Sequence, residues 1–321
     1  MKKLFLLLLS FLPIGALAEE PLLLINPARE TFLNFPSAIL PNKTVTVFLP
    51  EPTVPLHRAY PVIYILGAIA KDAAAAQEVI TRAEQKAILV GINTTEKDLQ
   101  DPAKLANFFV QELVPYIEAN YPTLPSSALR AVVAQGKEGL QAAAVLLAQR
   151  NLFARAVLVH TGTQPVALSG IDPQLRIWIE GTRSEIVPLQ QTLEELGRRY
   201  GPDFVTHLAE PTDQAVWQAI EPDYLFAPVE QVRVNKIKGY LLGISLPLEA
   251  QAAQPITWKA RLANKMLVDL IPLSLRITPP YLSWDALTGQ VSVVSGAVPG
   301  KVKISVSVDK ITWKGKISLK K

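Results

Sequence analysis

Residues 130–142 read Arg-Ala-Val-Val-Ala-Gln-Gly-Lys-Glu-Gly-Leu-Gln-Ala, and this stretch decides the fold. Residues 131–134 form a short, continuous apolar run, which is typical of a strand buried on both faces. Gly136 follows, and residues 139–149 show the periodicity of a helix. The stretch therefore predicts a strand that turns sharply at Gly136 into a helix.

The same alternation of strand and helix extends to both sides of this stretch. Apolar runs predict strands at residues 44–49, 62–66, 87–90, 156–159 and 177–179, and helical spacing predicts helices at 73–86, 104–120 and 189–199. This order favours an α/β fold with a mostly parallel sheet and helices on both faces.

The pattern changes near residue 228, after which long helical periodicity disappears. Short strands are predicted at residues 232–235, 240–245, 256–262, 267–277, 290–294, 302–308 and 312–319. Short strands at such spacing predict a small immunoglobulin-like all-β sandwich over residues 229–321, behind an α/β domain at 19–228.

The N-terminus has the features of a secretory signal peptide. Lys2 and Lys3 precede an apolar run at residues 4–17, and cleavage is expected after Ala18. The alternative is a membrane anchor, but the run is short for a span, and no stable membrane span is expected elsewhere. The sequence thus predicts a signal peptide over residues 1–18 and a periplasmic or secreted protein.

The composition excludes several kinds of chemistry. The chain has 321 residues and no cysteine, so disulfides and a thiol nucleophile are excluded. The three histidines, His57, His160 and His207, are too widely spaced to indicate a metal site. No Gly-rich phosphate loop is visible either, so we expect no cofactor.

The positive charge is concentrated at the C-terminal end. From residue 230 onward the chain carries 14 Lys/Arg and 5 Asp/Glu, although the net charge of the whole chain is only +4. Such asymmetry can indicate an anionic partner, here an unknown envelope protein or an anionic polysaccharide. The alternative is that lysines on exposed faces and edges keep the β domain soluble. Export and the absence of a recognisable motif argue against nucleic acid.

Several segments together resemble the esterase D-type family of the α/β-hydrolases. Residues 44–50 (TVTVFLP) and 60–67 (YPVIYILG) are similar to two strand motifs of that family. Residues 109–122 (FVQELVPYIEANYP) resemble its F-x-x-E-L-x-P-Y-I-x-x-N-Y-P helix, and Phe153 with residues 157–162 resembles the stretch after the nucleophile. The resemblance covers residues 37–224 and implies an esterase fold with a Ser-Asp-His triad.

The residues at the triad positions differ from the family pattern. The nucleophile elbow G-x-S-x-G falls on residues 134–138 and places Gly136 where the family has its serine. Ser184 falls on the acid, and Thr212 falls on the histidine five residues before Trp217. Covalent attack needs a hydroxyl, a base and an acid that orients the base. The resemblance thus implies an esterase body with a degenerate triad.

An esterase fold without its triad could still keep a binding cleft at the position of the family's catalytic site. Its expected residues are Gly67, Gly136, Lys137, His160, Thr161 and Trp217. Lys137 could contact a ligand or simply belong to a solvated helix start. The five tryptophans could form a carbohydrate platform, although core packing is the simpler interpretation.

The sequence therefore predicts an exported, catalytically inactive esterase-like protein that acts by binding at the cell envelope. One alternative is an active ester hydrolase or acyltransferase with displaced residues, for which His160 beside Thr161 or Thr163 is a candidate, as are Ser126 and Ser127. A second alternative is an adhesin-like structural component of the envelope.

Overall fold

The computed structural model describes residues 23–26, 29–50, 59–67, 72–149, 151–163, 168, 174–211, 215–241, 245–248 and 253–320. The expected signal peptide at residues 1–18, including Ala18, lies outside the described residues, and so does Thr212. Among the described residues, no helix combines the length and the apolar composition that crossing a bilayer requires.

Strands outnumber helices among the described elements. The helices are α1 Ala73–Arg82, α2 Glu96–Leu99, α3 Pro102–Phe108, α4 Val114–Asn120, α5 Gly136–Ala148, α6 Arg183–Glu195, α7 Ala215–Ala219 and α8 Pro222–Leu225, with a π-helical turn at Phe109–Leu113 between α3 and α4. The strands are β1 Leu23–Asn26, β2 Arg29–Phe32, β3 Val45–Phe48, β4 Val62–Leu66, β5 Ile88–Ile92, β6 Arg130–Gln135, β7 Arg155–Val159, β8 Arg176–Gly181, β9 Phe204–Leu208, β10 Val234–Leu241, β11 Ser245–Pro247, β12 Ala253–Leu262, β13 Leu267–Leu270, β14 Arg276–Thr278, β15 Leu282–Asp285, β16 Gln290–Val293, β17 Gly300–Val308 and β18 Ile311–Lys320.

The centre of the fold is a run of six parallel strands in the order β5-β4-β6-β7-β8-β9. Every residue of β4 and β5 is buried, as expected for strands that are covered on both faces. Antiparallel strands β1, β2 and β3 extend the sheet beyond β5, so the sheet as a whole is mixed. The predicted α/β class is confirmed.

The C-terminal third is rich in β-strands, as predicted, and it continues the central sheet. Strand β13 pairs with β9 in antiparallel fashion at Asp269 and Thr206, and β12 joins β13 to β10 and β16. A second sheet, in the order β11-β18-β17-β14, packs against these strands. The ring of Trp258 lies between them, edge-on to Trp284 at 5.3 Å and to Trp313 at 5.9 Å.

A buried arginine ties strand β8 to the segment around α8, which leads into the β-rich region. Arg176 in β8 is 2% exposed. Its guanidinium donates hydrogen bonds to the backbone carbonyls of Pro202, Tyr224, Leu225 and Ala227 over 2.7–3.2 Å. Because Arg keeps its charge in proteins, these four carbonyls have a permanent donor.

Among the elements that differ from the sequence prediction, three have an identifiable local reason. Helix α6 begins at residue 183 rather than 189, because Thr182 and Glu185 form a capping box. The strand predicted over 267–277 is divided into β13 and β14 by an irregular segment that contains Pro272. Strand β15 was not predicted, since only one of its four residues is buried.

Candidate functional site

The carboxyl ends of the parallel strands lie level with one another. In the sheet register Gln135 pairs with Val159, and Val159 pairs with Glu180. The residues that follow the first two strands, Gly136 and His160, therefore emerge side by side. Ligand sites of open α/β sheets lie at this edge, outside the carboxyl ends of the strands.

Gly136 forms the turn between β6 and α5. Its φ is +73°, in the left-handed region that glycine occupies without a steric penalty. A Cβ placed on Gly136 would meet no atom within 4 Å, so the space above the turn is open. Gln135 provides no side-chain cap for α5, so the first backbone N–H groups of this helix receive no acceptor from their N-cap residue. The predicted sharp turn is thus present, and it carries no side chain.

A histidine and a glutamate meet beside this turn. Nδ1 of His160 lies 3.0 Å from a carboxylate oxygen of Glu185, and the His160 side chain is 8% exposed. The backbone of His160 adopts φ +46°, and its N–H donates to the Glu180 carbonyl at 2.9 Å. Nε2 of His160 is buried and has no hydrogen-bond partner among the described residues. The imidazole is thus held in one orientation by Glu185, and its second ring nitrogen is buried without a described partner.

Glu185 is held in its ionised form by its neighbours. Burial acts to raise its pKa, but hydrogen bonds from the backbone N–H and hydroxyl of Thr182 and from His160 outweigh it, so the pKa of Glu185 is lowered. The backbone N–H of Gly162 approaches the other carboxylate oxygen at 3.4 Å. Ser184, the residue at the expected acid position, is exposed, and its hydroxyl lies 3.1 Å from that of Thr182.

The carboxylate at this site therefore belongs to Glu185, one residue after Ser184, which the sequence resemblance placed at the acid position. Glu185 was not among the candidate site residues, although Thr182 followed three residues later by Glu185 is a capping-box pattern. The pattern predicts a helix start there. It does not predict that the same carboxylate also contacts His160.

The other predicted cleft residues are distributed unevenly. Gly67 follows β4, the direct neighbour of β6, and so lies at the same edge as Gly136. Lys137 is exposed, and a Cβ on Gly162 would lie 4.0 Å from its Cβ, so Lys137 borders the His160 loop. Thr161 is buried, with 2% of its surface exposed.

Trp217 belongs to the core between helices and strand β3. It is 4% exposed, and its ring meets that of Phe48 edge-on at 6.5 Å. Its backbone carbonyl accepts a hydrogen bond from Arg82 of α1 at 3.2 Å. These contacts give Trp217 a packing role.

A second polar pair lies one strand further along. Nδ1 of His207 is 3.3 Å from a carboxylate oxygen of Glu180, a distance that allows an ion pair although the two groups are not aligned as a hydrogen bond. The His207 ring stacks on Trp178. The carboxylate of Glu180 raises the pKa of His207 above its usual value, against the opposing effect of burial.

The β-rich region covers part of the same edge and forms a cavity of about 350 Å³ there. The cavity is lined by residues of both parts, Gly181, Thr182, Arg183, Leu208, Ala209, Glu210, Pro255, Ile256, Thr257, Thr288 and Gly289. Arg183 crosses the junction and donates to the Ala286 carbonyl at 3.3 Å. Burial lowers the pKa of the Arg183 guanidinium, and nearby Asp269 and Asp285 act in the opposite direction.

Taken together, the described groups offer an oriented imidazole, a carboxylate and uncapped backbone N–H groups around a turn without a hydroxyl. Such groups can hold a polar ligand at the edge of the sheet. Within the described part of the chain, no three metal-ligating side chains lie close enough to hold a metal ion.

One family model matches more than half of the chain. The family described as "Putative esterase" matches residues 37–223. Similar solved structures include the BES protein of Bacillus cereus, with 16% identity, a TM-score of 0.48, and coverage of 64% of this chain and 98% of the other. The S-formylglutathione hydrolase of Staphylococcus aureus matches with 16% identity, a TM-score of 0.45, and coverage of 64% and 99%. An IroE-like serine hydrolase of Shewanella oneidensis matches with 16% identity, a TM-score of 0.45, and coverage of 61% and 77%. No curated protein matches the sequence.

Proposed function

The chain belongs to the putative esterase family, and from this premise we propose that it is an exported, catalytically inactive member that acts by binding at the cell envelope. The observation that carries the proposal is the glycine at the turn between β6 and α5. Gly136 has the left-handed backbone of an elbow, but it has no atom that could attack an acyl carbon.

Among the described residues, no side-chain hydroxyl hydrogen-bonds to His160 beside Gly136. Serine catalysis needs the hydroxyl, the base and the orienting acid within hydrogen-bond reach of one another. The pair formed by His160 and Glu185 provides a base and an acid. The hydroxyl of Ser184 contacts Thr182 in the first turn of α6 instead.

Binding at this edge would use the groups that remain. The uncapped N–H groups of α5 favour an oxygen atom that carries partial or full negative charge. The proposed cleft above the turn at Gly136 is bordered by Gly67, Lys137, His160 and Thr161. A former substrate-like ester or glycan is therefore the class of ligand we propose for the cleft.

We also propose an exported location and an envelope partner for this chain. Residues 1–18 would direct export to the periplasm or the medium. Residues 229–321 would form an immunoglobulin-like sandwich that engages an envelope protein or an anionic polysaccharide through its positive charge.

A serine-directed probe tests the loss of chemistry. The purified full chain should not be labelled by a fluorophosphonate and should not hydrolyse short acyl nitrophenyl esters, while an active serine esterase run in parallel does both. Fluorophosphonate attached to any serine of the native protein would overturn the proposal. A saturable rise in melting temperature with short esters or carboxylates, lost in Lys137→Gln, would support ligand binding in the cleft.

The contact between His160 and Glu185 favours one second candidate, an ester hydrolase with a displaced catalytic group. In that case Nε2 of His160, which is buried and has no partner among the described residues, would accept a proton from water or a hydroxyl once a change in its surroundings exposes it. His160→Ala should then abolish ester turnover, whereas His207→Ala, a change at the other described histidine, should leave it intact. Absence of turnover in the unmodified protein rejects this candidate.

A further inference from the structure

The outward face of the second sheet is covered with positive charge. Along β17 and β18 the side chains alternate, and Val302, Ile304, Ile317 and Leu319 are buried on the inner side. The opposite side carries the cationic face, which we define as Arg276, Lys301, Lys303, Lys314, Lys316 and Lys320. All six residues are exposed.

The register of the sheet brings these charges together. Lys303 lies directly opposite Lys316, and Lys314 lies opposite Ser305, which in turn lies opposite Arg276. Cross-strand partners are about 5 Å apart at Cβ, and like charges in this arrangement destabilise a sheet. The sequence therefore retains an arrangement that costs stability on this face.

In the part of the chain that the structure describes, no acidic side chain pairs with this charge. Strands β11, β14, β17 and β18 contain no Asp or Glu. Within the described part of the chain, none of the six cations forms an ion pair of 4 Å or less. Asp309, in the turn after β17, lies six residues beyond Lys303, roughly 20 Å along an extended strand.

The face is concave and polar. A groove of about 800 Å³ runs over it, lined by Arg276, Thr278, Lys303, Ile304, Ser305, Lys314, Gly315 and Lys316. Hydroxyl groups thus alternate with cations, and none of the exposed aromatic or large aliphatic side chains of the described residues lies on this face. A membrane surface favours aromatic and aliphatic anchors, and single-stranded nucleic acid favours aromatic rings for stacking.

From this arrangement we propose that the cationic face binds a linear acidic polysaccharide that carries carboxylates along its length. Lysine ammonium groups are compact point charges that attract carboxylates without the paired geometry of arginine. Sugar hydroxyls can exchange hydrogen bonds with Thr278 and Ser305 between the charges. The inference deepens the proposed function and rests on it, because it names the class of partner for the β-rich region.

Binding of polygalacturonate to the full chain tests the inference. Fluorescently labelled polymer is titrated with protein at low ionic strength, and neutral dextran, phosphatidylglycerol vesicles and a single-stranded oligonucleotide are measured alongside. The test variant is Lys303→Gln with Lys316→Gln, which removes the opposed pair. The matched control is Lys97→Gln with Lys104→Gln, which removes the same charge from two exposed helical lysines.

The test variant should weaken polygalacturonate binding at least tenfold, and the control should stay within twofold. Binding of the unmodified chain should weaken as salt is added, less steeply in the test variant. Lys314→Gln, which leaves the pair in place, should weaken binding by a smaller factor and provides a second variant. The test variant should melt no lower than the unmodified chain, since a repulsion has been removed.

An equal loss in the control, or equal binding of dextran, would overturn the inference. Tighter binding of vesicles or of the oligonucleotide than of polygalacturonate would also overturn it, because the partner would then belong to another class. Loss of polysaccharide binding would overturn only this inference. The proposed loss of catalysis is tested separately, by fluorophosphonate labelling of a serine.

Discussion

Replacing Gly136 with alanine tests whether the chain bends there as an elbow or merely starts a helix. At φ +73° a Cβ costs about 1–2 kcal/mol, because it approaches the following carbonyl oxygen. The same Cβ would meet no other atom within 4 Å, so packing adds nothing to this cost. We expect Gly136→Ala to lower the free energy of unfolding by about 1–2 kcal/mol.

Gly139→Ala is the matched control in the same helix. Its φ is not in the left-handed region, and its Cβ would lie at an ordinary contact distance of 3.5 Å from Ala134. Alanine is favoured over glycine in a helix interior by up to about 1 kcal/mol. Two glycines three residues apart should therefore respond with opposite signs.

The assay is urea unfolding of the full chain, followed by circular dichroism at fixed pH and temperature. The comparison is valid if the slope of the transition is the same for all three proteins. A higher free energy of unfolding for Gly136→Ala would refute the left-handed backbone. The same result would also refute the assignment of this turn as a nucleophile elbow that lacks its nucleophile.

Three further predictions concern stability. Glu180 raises the pKa of His207 in the folded protein. Their interaction therefore stabilises the fold fully at pH values below the pKa of His207 in the unfolded chain. The stabilisation is lost as the pH rises through the pKa of His207 in the folded protein. His207→Gln should therefore lower the free energy of unfolding more at pH 5.5 than at pH 8.5. The difference between the two losses should be at most about 1 kcal/mol, because the ring is partly exposed. Equal losses at both pH values would contradict this prediction. Arg176→Met should cost about 3 kcal/mol or more in urea unfolding, since four backbone carbonyls lose their donor; a cost below about 1 kcal/mol would argue against that network. Gly289→Ala should lower the melting temperature, because φ is +71° and the new Cβ would also force the Arg183 guanidinium, 2.7 Å away, to move; an unchanged melting temperature would contradict the left-handed backbone at Gly289.

Much of the fold was predictable because buried parallel strands have a strong sequence pattern. Strand β4 was predicted with its observed bounds, since every residue is apolar and every residue is buried. The C-terminal strands were predicted less well. Strand β10 begins within the predicted 232–235 segment but continues to Leu241, because it pairs with β12 along most of its length. Such pairing depends on distant residues and is not visible in a local pattern.

The candidate site was predictable only in part, for a similar reason. The turn at Gly136 follows from local residue types. The contact between His160 and Glu185 joins residues 25 positions apart, and it requires the register that sets β7 beside β8. The cationic face shows the same limit, since the alternating lysines were visible but the opposition of Lys303 and Lys316 depends on how the hairpin is aligned.

The pairing of β9 with β13 has a practical consequence for anyone who wishes to study the halves separately. The Asp269 carbonyl accepts hydrogen bonds from the hydroxyls of Tyr200 and Thr206, and its carboxylate accepts one from the backbone of Leu208 at 3.0 Å. A gene truncated after codon 228 would leave β9 as a bare edge with its buried hydroxyls unsatisfied. Bare strand edges recruit other molecules, so such a fragment should accumulate as inclusion bodies rather than as a free hydrolase-like module.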